Sequence, residues 1–310
     1  MKIKAYIIKF IILFIIFISL DFSIGKILNY YYFKQKHGEY YVLTKTINNP
    51  THQSADILIL GSSRARRHYN PEVISQTLNM SCYNAGYDAQ SILFHKALLD
   101  IIEEKYKPEI IILDINNNEL LYEEISYDQL SILLPYVQYY PELWNTLLLK
   151  SPFEKIKYLS KIYPYNSLLD KIVRGNMDSM HGENDINGFV PFYGSYNRDI
   201  TEKSFPETTL DKNKIDAFNS FIDICKKKNI KLFVVYSPEY LKILNNSSSI
   251  EYIIDKCKQN DIDYITYQNN ADFLKGELFR EALHLNNVGA DEFSLDLSLK
   301  LKEKIGENGE

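Results

Sequence analysis

Short apolar runs that alternate with helical patterns constrain the fold of this chain more than any other feature. Residues 56–60 and 109–115 are two such runs, and residues 81–84 form a shorter one between them. Helical patterns at 71–78 and 91–105 separate the three runs. Strand, helix, strand, helix, strand in this order predicts βαβ units and a mostly parallel sheet. The expected fold class is therefore α/β, with the sheet covered by helices on both faces as a three-layer α/β/α sandwich.

The same alternation returns late in the chain. Helices are predicted at 212–228 and 250–260, and strands at 230–236 and 262–267. A last helical pattern at 288–305 is expected to close the domain. Both halves of the pattern therefore belong to one sheet.

Residues 120–205 interrupt this rhythm. They are rich in Tyr, Leu and Pro, with helical stretches expected around 125–149 and 152–169 and a loop at 182–197. We interpret them as an insertion packed over one edge of the sheet. The sequence thus predicts one domain from residue 55 to 310 that carries a helical insertion.

The first 28 residues predict a membrane anchor or a signal segment. Three lysines in the first nine residues precede an unbroken apolar run at 10–18, and residues 5–28 together are long enough to span a bilayer. The lysines favour an uncleaved anchor with a cytoplasmic N-terminus. Cleavage is the alternative, although residues 23–25 offer only a poor small-x-small site. Both alternatives put the remaining chain outside the cytoplasm, after a tyrosine-rich linker at 29–54.

Charge and cysteine usage exclude several classes of partner. The net charge is -5, whereas a nucleic-acid partner would require a basic excess or stripe. Cys82, Cys225 and Cys257 form no Cys-x-x-Cys pair, so we expect packed thiols and leave a 225–257 disulfide open. The sequence has no metal-ligand spacing and no phosphate-binding glycine loop, so no metal and no cofactor are expected. Composition leaves the oligomeric state undetermined.

Polar residues follow the predicted strands at their carboxyl ends, where open α/β sheets form their sites. Ser63 follows the first strand, Ala89 lies in the loop after the second, and Asn118 follows the third. Glu281 and His284 lie near the C-terminus. A serine, backbone amides, an amide side chain and an acid/histidine pair are the groups that acyl transfer needs.

In these residues the chain resembles the SGNH/GDSL hydrolase superfamily. Gly61-Ser62-Ser63 corresponds to the first block of that family, with Ser62 where Asp is usual. Ala89 falls at the glycine of the second block, and Asn118 at the Asn of the third, with Asn116 and Asn117 close by. Glu281-Ala282-Leu283-His284 corresponds to the final Asp-x-x-His block. The resemblance covers roughly residues 55–118 and 210–305 and implies a flavodoxin-like SGNH hydrolase fold.

The resemblance also implies a role for each of these residues. Ser63 would be the nucleophile and His284 the general base, with Glu281 orienting the imidazole. Ala89, through its N–H, and Asn118, through its side chain, would form the oxyanion hole with the Ser63 N–H. Each residue also has a structural interpretation, in which Ser63 caps a helix, Asn118 belongs to a turn, and His284 and Glu281 are surface residues.

Two functions follow from the sequence. The first is a serine esterase or O-acyltransferase that acts through an acyl-enzyme on an acetyl or other acyl ester of an envelope or extracellular glycan. The second is a membrane-anchored protein with the same fold that is catalytically inactive and acts in glycan binding or envelope assembly. The basic cluster Arg64, Arg66, Arg67 and His68 is interpreted as a solvated helix start, with anion binding as the alternative.

Overall fold

A five-stranded parallel sheet forms the centre of the protein. The computed structural model describes residues 2–48, 54–177 and 185–306. The strands of this sheet are β1 (Ile57–Leu60), β2 (Cys82–Asn84), β3 (Ile110–Asp114), β5 (Lys231–Tyr236) and β7 (Asp263–Thr266). They are ordered β2-β1-β3-β5-β7 and every pair is parallel. Counting these five alone, the order is 2-1-3-4-5, the flavodoxin-like arrangement. The predicted fold class is confirmed.

Within the described residues, four short strands lie outside this sheet. They are β4 (Thr201–Lys203), β6 (Leu241–Ile243), β8 (Phe279–Glu281) and β9 (His284–Leu285). β4 and β6 pair in parallel, whereas β8 and β9 form an antiparallel hairpin.

The central strands are apolar on both faces because helices cover both. Ile57, Ile59, Ile110 and Ile112 share one apolar cluster with Phe293 of the last helix. The alternate residues, such as Leu58 and Ile111, are equally buried and point to the other face. Continuous rather than alternating hydrophobicity is typical of such doubly covered parallel strands.

Helix boundaries follow local capping. The helices around the sheet are α3 (Ser63–His68), α4 (Pro71–Leu78), α5 (Ile92–Glu103), α10 (Lys212–Lys227), α11 (Ser248–Gln259) and α12 (Asn287–Gly306). Asn70 caps α4 through Glu72 N–H, and Pro71 stands at the first helical position, where no N–H is needed. Asp211 and Ser247 cap α10 and α11 in the same manner. α5 packs against α10, and α12 against α3 and α4.

The chain divides into two compact units. One comprises residues 45–129 and 183–310 and contains the central sheet, and the other comprises residues 1–44 and 130–182. The second unit contains α1 (Lys2–Phe33) and α2 (Glu39–Asn48) as far as residue 44. The segment expected as a linker, 29–54, thus includes the end of α1 and all of α2. Residues 49–53 lie outside the described part of the chain.

The insertion contains short helices rather than the two long ones expected. The α-helices are α6 (Glu124–Asp128), α7 (Trp144–Lys150), α8 (Glu154–Lys157) and α9 (Leu169–Gly175). The 3₁₀ helices in the insertion are Gln129–Tyr136, Pro141–Leu143 and Tyr163–Tyr165, and a further one, Gly276–Leu278, precedes β8. Pro135, Pro141, Pro152 and Pro164 interrupt the pattern, since proline cannot donate a helical hydrogen bond. The loop expected at 182–197 lies partly outside the described residues; from 185 onward it contains an isolated bridge between Ile186 and Phe189.

α1 is a single helix that is both long enough and apolar enough to cross a membrane. Most of its side chains from Ile3 to Leu20 are exposed. At about 1.5 Å per residue those 18 residues extend roughly 27 Å, close to the thickness of a bilayer core. This helix is compatible with either a membrane anchor or a signal segment.

Candidate active site

Ser63 lies where β1 turns directly into α3. Gly61, between them, has φ +150°, and a Cβ there would lie 2.8 Å from the Asp114 Cβ, so the turn requires glycine. Ser62 occupies the N-cap position and makes no side-chain capping bond. Ser63 is the first helical residue, and its Oγ hydrogen-bonds with His284 rather than capping the helix. β1 and β3 flank the topological switch point, where ligands of open sheets bind.

His284 and Glu281 face each other across the β8–β9 hairpin. His284 Nε2 lies 2.7 Å from Ser63 Oγ, and His284 Nδ1 hydrogen-bonds with the Glu281 carboxylate. Burial raises the pKa of Glu281, but hydrogen bonds from His284 and from the Leu283 N–H outweigh it, so the pKa lies below its ordinary value. Glu281 is therefore ionised at neutral pH beside the imidazole. A serine, a histidine and an acid thus form one continuous hydrogen-bonded chain.

His68 fixes the strand that carries His284. The Leu285 N–H donates to His68 Nε2 at 3.1 Å, and His68 Nδ1 lies 3.1 Å from Ser237 Oγ. His68 is fully buried, and burial together with Arg64 and His284 holds its pKa well below the ordinary value. The ring is therefore neutral, accepts through Nε2 and donates through Nδ1. The interpretation of His68 as part of a solvated helix start is therefore wrong.

Ala89 adopts the left-handed conformation, with φ +59°. This conformation favours glycine, so alanine here stores strain. Within the described residues, neither the Ala89 N–H nor the Ser63 N–H donates a hydrogen bond to another group. Asp88, just before Ala89, accepts from Arg66 Nη1 at 3.1 Å and from Arg67 Nη2 at 2.9 Å. α3 thereby fixes the loop that carries Ala89.

The three asparagines after β3 have different environments. Asn118 Nδ2 donates to Glu123 at 3.1 Å, and its N–H donates to Asn116 Oδ1 at 2.8 Å. An amide has two N–H donors, so one remains available on Asn118. Asn117 is buried and donates to Tyr236 Oη. Asn116 and Asn118 both line the cavities beside Ser63.

The basic cluster on α3 is buried, so its interpretation as a solvated helix start is wrong. Arg64 is 5% exposed and bonds to Ser237 through Nε at 3.1 Å and Nη2 at 3.0 Å. Its guanidinium lies 3.9 Å from Asp114 and 3.7 Å from Glu239. Arg66 and Arg67 pair with Asp88. The cluster is part of the internal support of the site, because its charges are matched by carboxylates of the same unit.

Two cavities share a wall of Ser62, Ser63, Asn116 and Asn118. The His284 cavity, about 170 Å³, is further lined by Arg64, Asn117, Lys203, Phe205, Glu239, Leu283 and His284. The Lys214 cavity, about 200 Å³, is further lined by Ala89, Gln90, Ser91, Glu119, Glu123, Ile125, Ser126 and Lys214. Ser63 therefore stands between two spaces of similar size.

The described residues contain no cluster of side chains for a metal ion and no exposed cysteine. Among the residues described, no group of three His, Cys, Asp or Glu side chains is placed to hold a metal ion. Cys82, Cys225 and Cys257 are buried free thiols. Burial raises the pKa of Cys225 and of Cys257 to about 12, which makes both unreactive.

Sequence reasoning missed two parts of the site that had a detectable signal. Ser237 and Glu239 follow β5 at its carboxyl end, the position where site residues are expected. Lys214 shares the buried stripe of α10 with Phe218 and Phe221, and a lysine on an apolar stripe is itself unusual.

Three solved structures are similar to this chain at low sequence identity and with TM-scores of 0.39 to 0.41. A protein assigned to the G-D-S-L family of lipolytic proteins from Desulfitobacterium hafniense DCB-2 is 12% identical, with 78% of this chain and 97% of that chain covered and a TM-score of 0.41. A protein assigned as an acylhydrolase from Bacteroides fragilis NCTC 9343 is 8% identical, covers 79% and 87%, and has a TM-score of 0.39. A protein described as a platelet activating factor from Streptococcus pneumonia is 12% identical, covers 84% and 91%, and has a TM-score of 0.41.

No family model and no curated protein matches the chain. The chain has a flavodoxin-like α/β fold. The four sequence blocks lie together at the carboxyl edge of its 2-1-3-4-5 sheet. The chemical roles of the site residues are inferred from the contacts within this chain.

Proposed function

We propose that this protein is a serine esterase or O-acyltransferase whose nucleophile is Ser63. The observation that carries the proposal is the 2.7 Å contact between Ser63 Oγ and His284 Nε2, with Glu281 on the other imidazole nitrogen. A serine hydroxyl is a poor nucleophile at neutral pH and needs a base within about 2.6–3.2 Å. His284 satisfies this distance, and Glu281 stabilises the imidazolium that forms.

The reaction proceeds in two acyl transfers. Ser63 Oγ attacks the ester carbonyl carbon while His284 takes the hydroxyl proton. The tetrahedral intermediate then loses its alcohol, which takes the proton from His284 as the carbon–oxygen bond breaks. Water or a sugar hydroxyl next attacks the acyl-enzyme and passes its proton to His284. The second tetrahedral intermediate then breaks its bond to Ser63 Oγ, which takes this proton back from His284 as the acyl product leaves. Hydrolysis and transfer differ only in this last acceptor.

Three donors support an oxyanion hole in this proposal. The N–H groups of Ser63 and Ala89 have no partner among the described residues, and Asn118 has a free amide hydrogen. Donors that are in place before charge develops stabilise a transition state without reorganisation. Loss of one such donor typically lowers the rate by about 100- to 1,000-fold.

We further propose that the substrate is an acyl ester of an envelope or extracellular glycan. Phe205 and Glu239 line the His284 cavity and offer a ring surface and a hydrogen-bond acceptor of the kind that sugars bind. The apolar helix α1, which has three lysines in its first eight residues, supports an anchor with its N-terminus in the cytoplasm and the catalytic unit outside. The site would then face extracytoplasmic esters.

Hydrolysis of p-nitrophenyl acetate by the full chain in detergent micelles tests the proposal. Activity is expected in the wild type and is expected to fall by at least about 1,000-fold in Ser63→Ala and in His284→Ala. Ser54→Ala, which removes an exposed serine before β1, is the matched control and should retain activity. Activity that survives in Ser63→Ala would show that another group performs the reaction.

The second candidate is a binding protein that has kept the fold without catalysis. It is supported by Ala89, whose left-handed backbone is strained in a way that glycine would not be. This candidate predicts that His284 turns away from Ser63, whereas their 2.7 Å contact favours the enzyme. A folded wild type without esterase activity and without labelling by a fluorophosphonate would favour the binding protein.

A further inference from the structure

The Lys214 cavity contains polar groups that the catalytic mechanism does not use. It lies beside Ser63 and Ala89 and has a volume of about 200 Å³. One water molecule needs only roughly 10–15 Å³ measured in this manner, so an acetyl methyl group would leave most of the cavity unfilled. The cavity therefore has room for a larger substrate group.

Gln90 and Ser91 line this cavity and contain buried polar side-chain atoms. Gln90 is 4% exposed and Ser91 is 6% exposed. In the described part of the chain, the two polar atoms of the Gln90 amide and the Ser91 hydroxyl have no hydrogen-bond partner. Native proteins leave few buried polar groups unpaired, because each one loses its hydration without compensation. An unpaired buried amide on a cavity wall indicates that a ligand supplies the partner.

Lys214 adds donors to the lining of this cavity. Its side chain is fully buried, and Nζ donates to Ser126 Oγ at 3.1 Å. An ammonium group has three donors, and no carboxylate oxygen of the described residues lies within 4.0 Å of Nζ. Burial lowers the pKa of Lys214, while Glu119 and Glu123 act in the opposite direction. Donors therefore remain available to a group that enters the cavity.

The position of His284 decides which half of an ester each cavity receives. The leaving alcohol must take its proton from His284, so the alcohol half lies in the His284 cavity. The acyl half then points to the other side of Ser63, into the Lys214 cavity. We infer that the Lys214 cavity binds the acyl group, and that this group is short and ends in an oxygen-bearing polar function, a hydroxyl or a carboxylate. This inference rests on the proposed esterase function and refines its acyl group beyond acetyl.

The lining argues against a fatty acyl chain. Gln90, Ser91, Glu119 and Lys214 are polar, and of the lining residues only Ile125 and Ala89 are apolar. A long hydrocarbon chain would bury these polar groups without partners, at a cost that a hydroxyl or carboxylate avoids.

Matched p-nitrophenyl esters test this inference on the full chain in micelles. The substrates are butyrate, 3-hydroxybutyrate and hemisuccinate, with acetate as the reference. We expect the kcat/KM of the wild type for at least one oxygen-bearing ester to exceed that for butyrate by about tenfold or more. The hydroxybutyrate and hemisuccinate arms distinguish a hydroxyl from a carboxylate.

Variants then connect this preference to the cavity. Gln90→Leu and Lys214→Met are expected to reduce the preferred-to-butyrate ratio at least about fivefold, and Gln259→Leu, on the exposed end of α11, should leave it unchanged. Ser63-dependent acetate hydrolysis with butyrate preferred in the wild type would overturn the inference and leave the esterase intact. Absence of hydrolysis of every ester, without fluorophosphonate labelling, would instead overturn the proposed function.

A separate observation concerns the unit of residues 1–44 and 130–182. Phe153, Ile156 and Leu159 are 61%, 63% and 76% exposed, and we call them the α8 patch. Directly after the patch, Lys161 N–H donates to Asp21 at 2.7 Å, and a Cβ at Gly25 would lie 2.4 Å from the Lys161 Cβ. The patch thus adjoins α1 at Asp21, an acidic residue within the exposed apolar surface of that helix.

We propose that the α8 patch inserts into the surface of the bilayer that α1 crosses. Exposed apolar patches mark interaction sites, and this one continues the lipid-facing surface of α1. Lys155, Lys157 and Lys161 surround it and can extend to headgroups, and Trp144 stacks edge-on with Tyr158 beside it. Aromatic residues of this kind are enriched at the membrane interface.

An environment-sensitive label tests the insertion. NBD attached to Leu159→Cys, in full chain reconstituted into phosphatidylcholine and phosphatidylglycerol vesicles, should show blue-shifted emission and quenching by brominated lipid. NBD at Leu299→Cys, an equally apolar and half-exposed site on α12, should show neither. Vesicle-bound protein whose NBD emission is water-like at both positions would overturn the proposal. Wild type treated with the same label gives the background signal from the three buried cysteines.

Discussion

Arg64→Met tests whether Arg64 stabilises the buried carboxylates beneath the nucleophile. Arg64 is 5% exposed, and its neighbours Asp114 and Glu239 are 2% and 6% exposed. Methionine retains much of the apolar volume of arginine but removes the charge and the hydrogen bonds to Ser237. The two carboxylates would then lie buried without this cation.

The magnitude follows from the burial and the distances. Removal of one partner from a buried ion pair typically costs about 3–5 kcal/mol. The separations of 3.9 Å and 3.7 Å are long for ion pairs, so we expect about 3 kcal/mol. Burial raises the pKa of Asp114, and Arg64 opposes this rise, so the variant should raise that pKa further. A folded pKa above the unfolded value means that stability is lost as pH rises through the folded pKa. The deficit should therefore be smaller at pH 5 than at pH 8.

Urea unfolding followed by circular dichroism at both pH values measures this effect in the full chain in micelles. Arg198→Met, which removes an exposed arginine, is the control and should change the free energy of unfolding by less than about 0.5 kcal/mol. A loss below about 1 kcal/mol in Arg64→Met, or an equal loss at both pH values, would refute the reasoning.

Three further predictions follow from the site. Ala89→Gly relieves a left-handed backbone conformation that costs alanine about 1–2 kcal/mol. Glycine also gains about 0.4–1 kcal/mol of conformational entropy in the unfolded state, which is the smaller effect. The urea midpoint should therefore rise, and a lower midpoint would contradict the strain at Ala89. Glu281→Gln should lower kcat for p-nitrophenyl acetate by about 100-fold with little change in KM, because Glu281 orients and stabilises the imidazole; an unchanged kcat would remove it from the catalytic group. His68→Phe deprives the Leu285 N–H of its acceptor and should cost about 1–3 kcal/mol of stability and lower kcat, whereas an unaffected kcat would show that His284 does not depend on His68.

The sheet and the positions of the site residues could be predicted because both follow local rules. β1 and β3 are continuous apolar runs, and Ser63 and Asn118 follow their carboxyl ends. The parallel order then brings together residues that are far apart in sequence. The left-handed backbone of Ala89 is also consistent with its place at the glycine of the second block, since a glycine position at a tight turn indicates positive φ.

The environment of charged residues could not be predicted from local pattern. Arg64 and His68 lie on a six-residue helix whose composition is typical of a solvated surface. Carboxylates from β3 and from the loop after β5 nevertheless neutralise the charge of Arg64 inside the protein. Such pairing depends on sequence separations of 50 to 175 residues. The prediction of two long helices in the insertion was wrong for a different reason. The prolines of the insertion interrupt the helices that its apolar periodicity indicates.

The most direct measurement of the central claim is a covalent one. The full chain is treated with a fluorophosphonate, and the modified residue is located by mass spectrometry in wild type, His284→Ala and Ser54→Ala. We predict an adduct on Ser63 in wild type and in Ser54→Ala, and its loss or slowing by at least about 100-fold in His284→Ala, because the imidazole activates the hydroxyl. Folded wild type with no adduct on Ser63, or an adduct that forms equally fast without His284, would contradict the account.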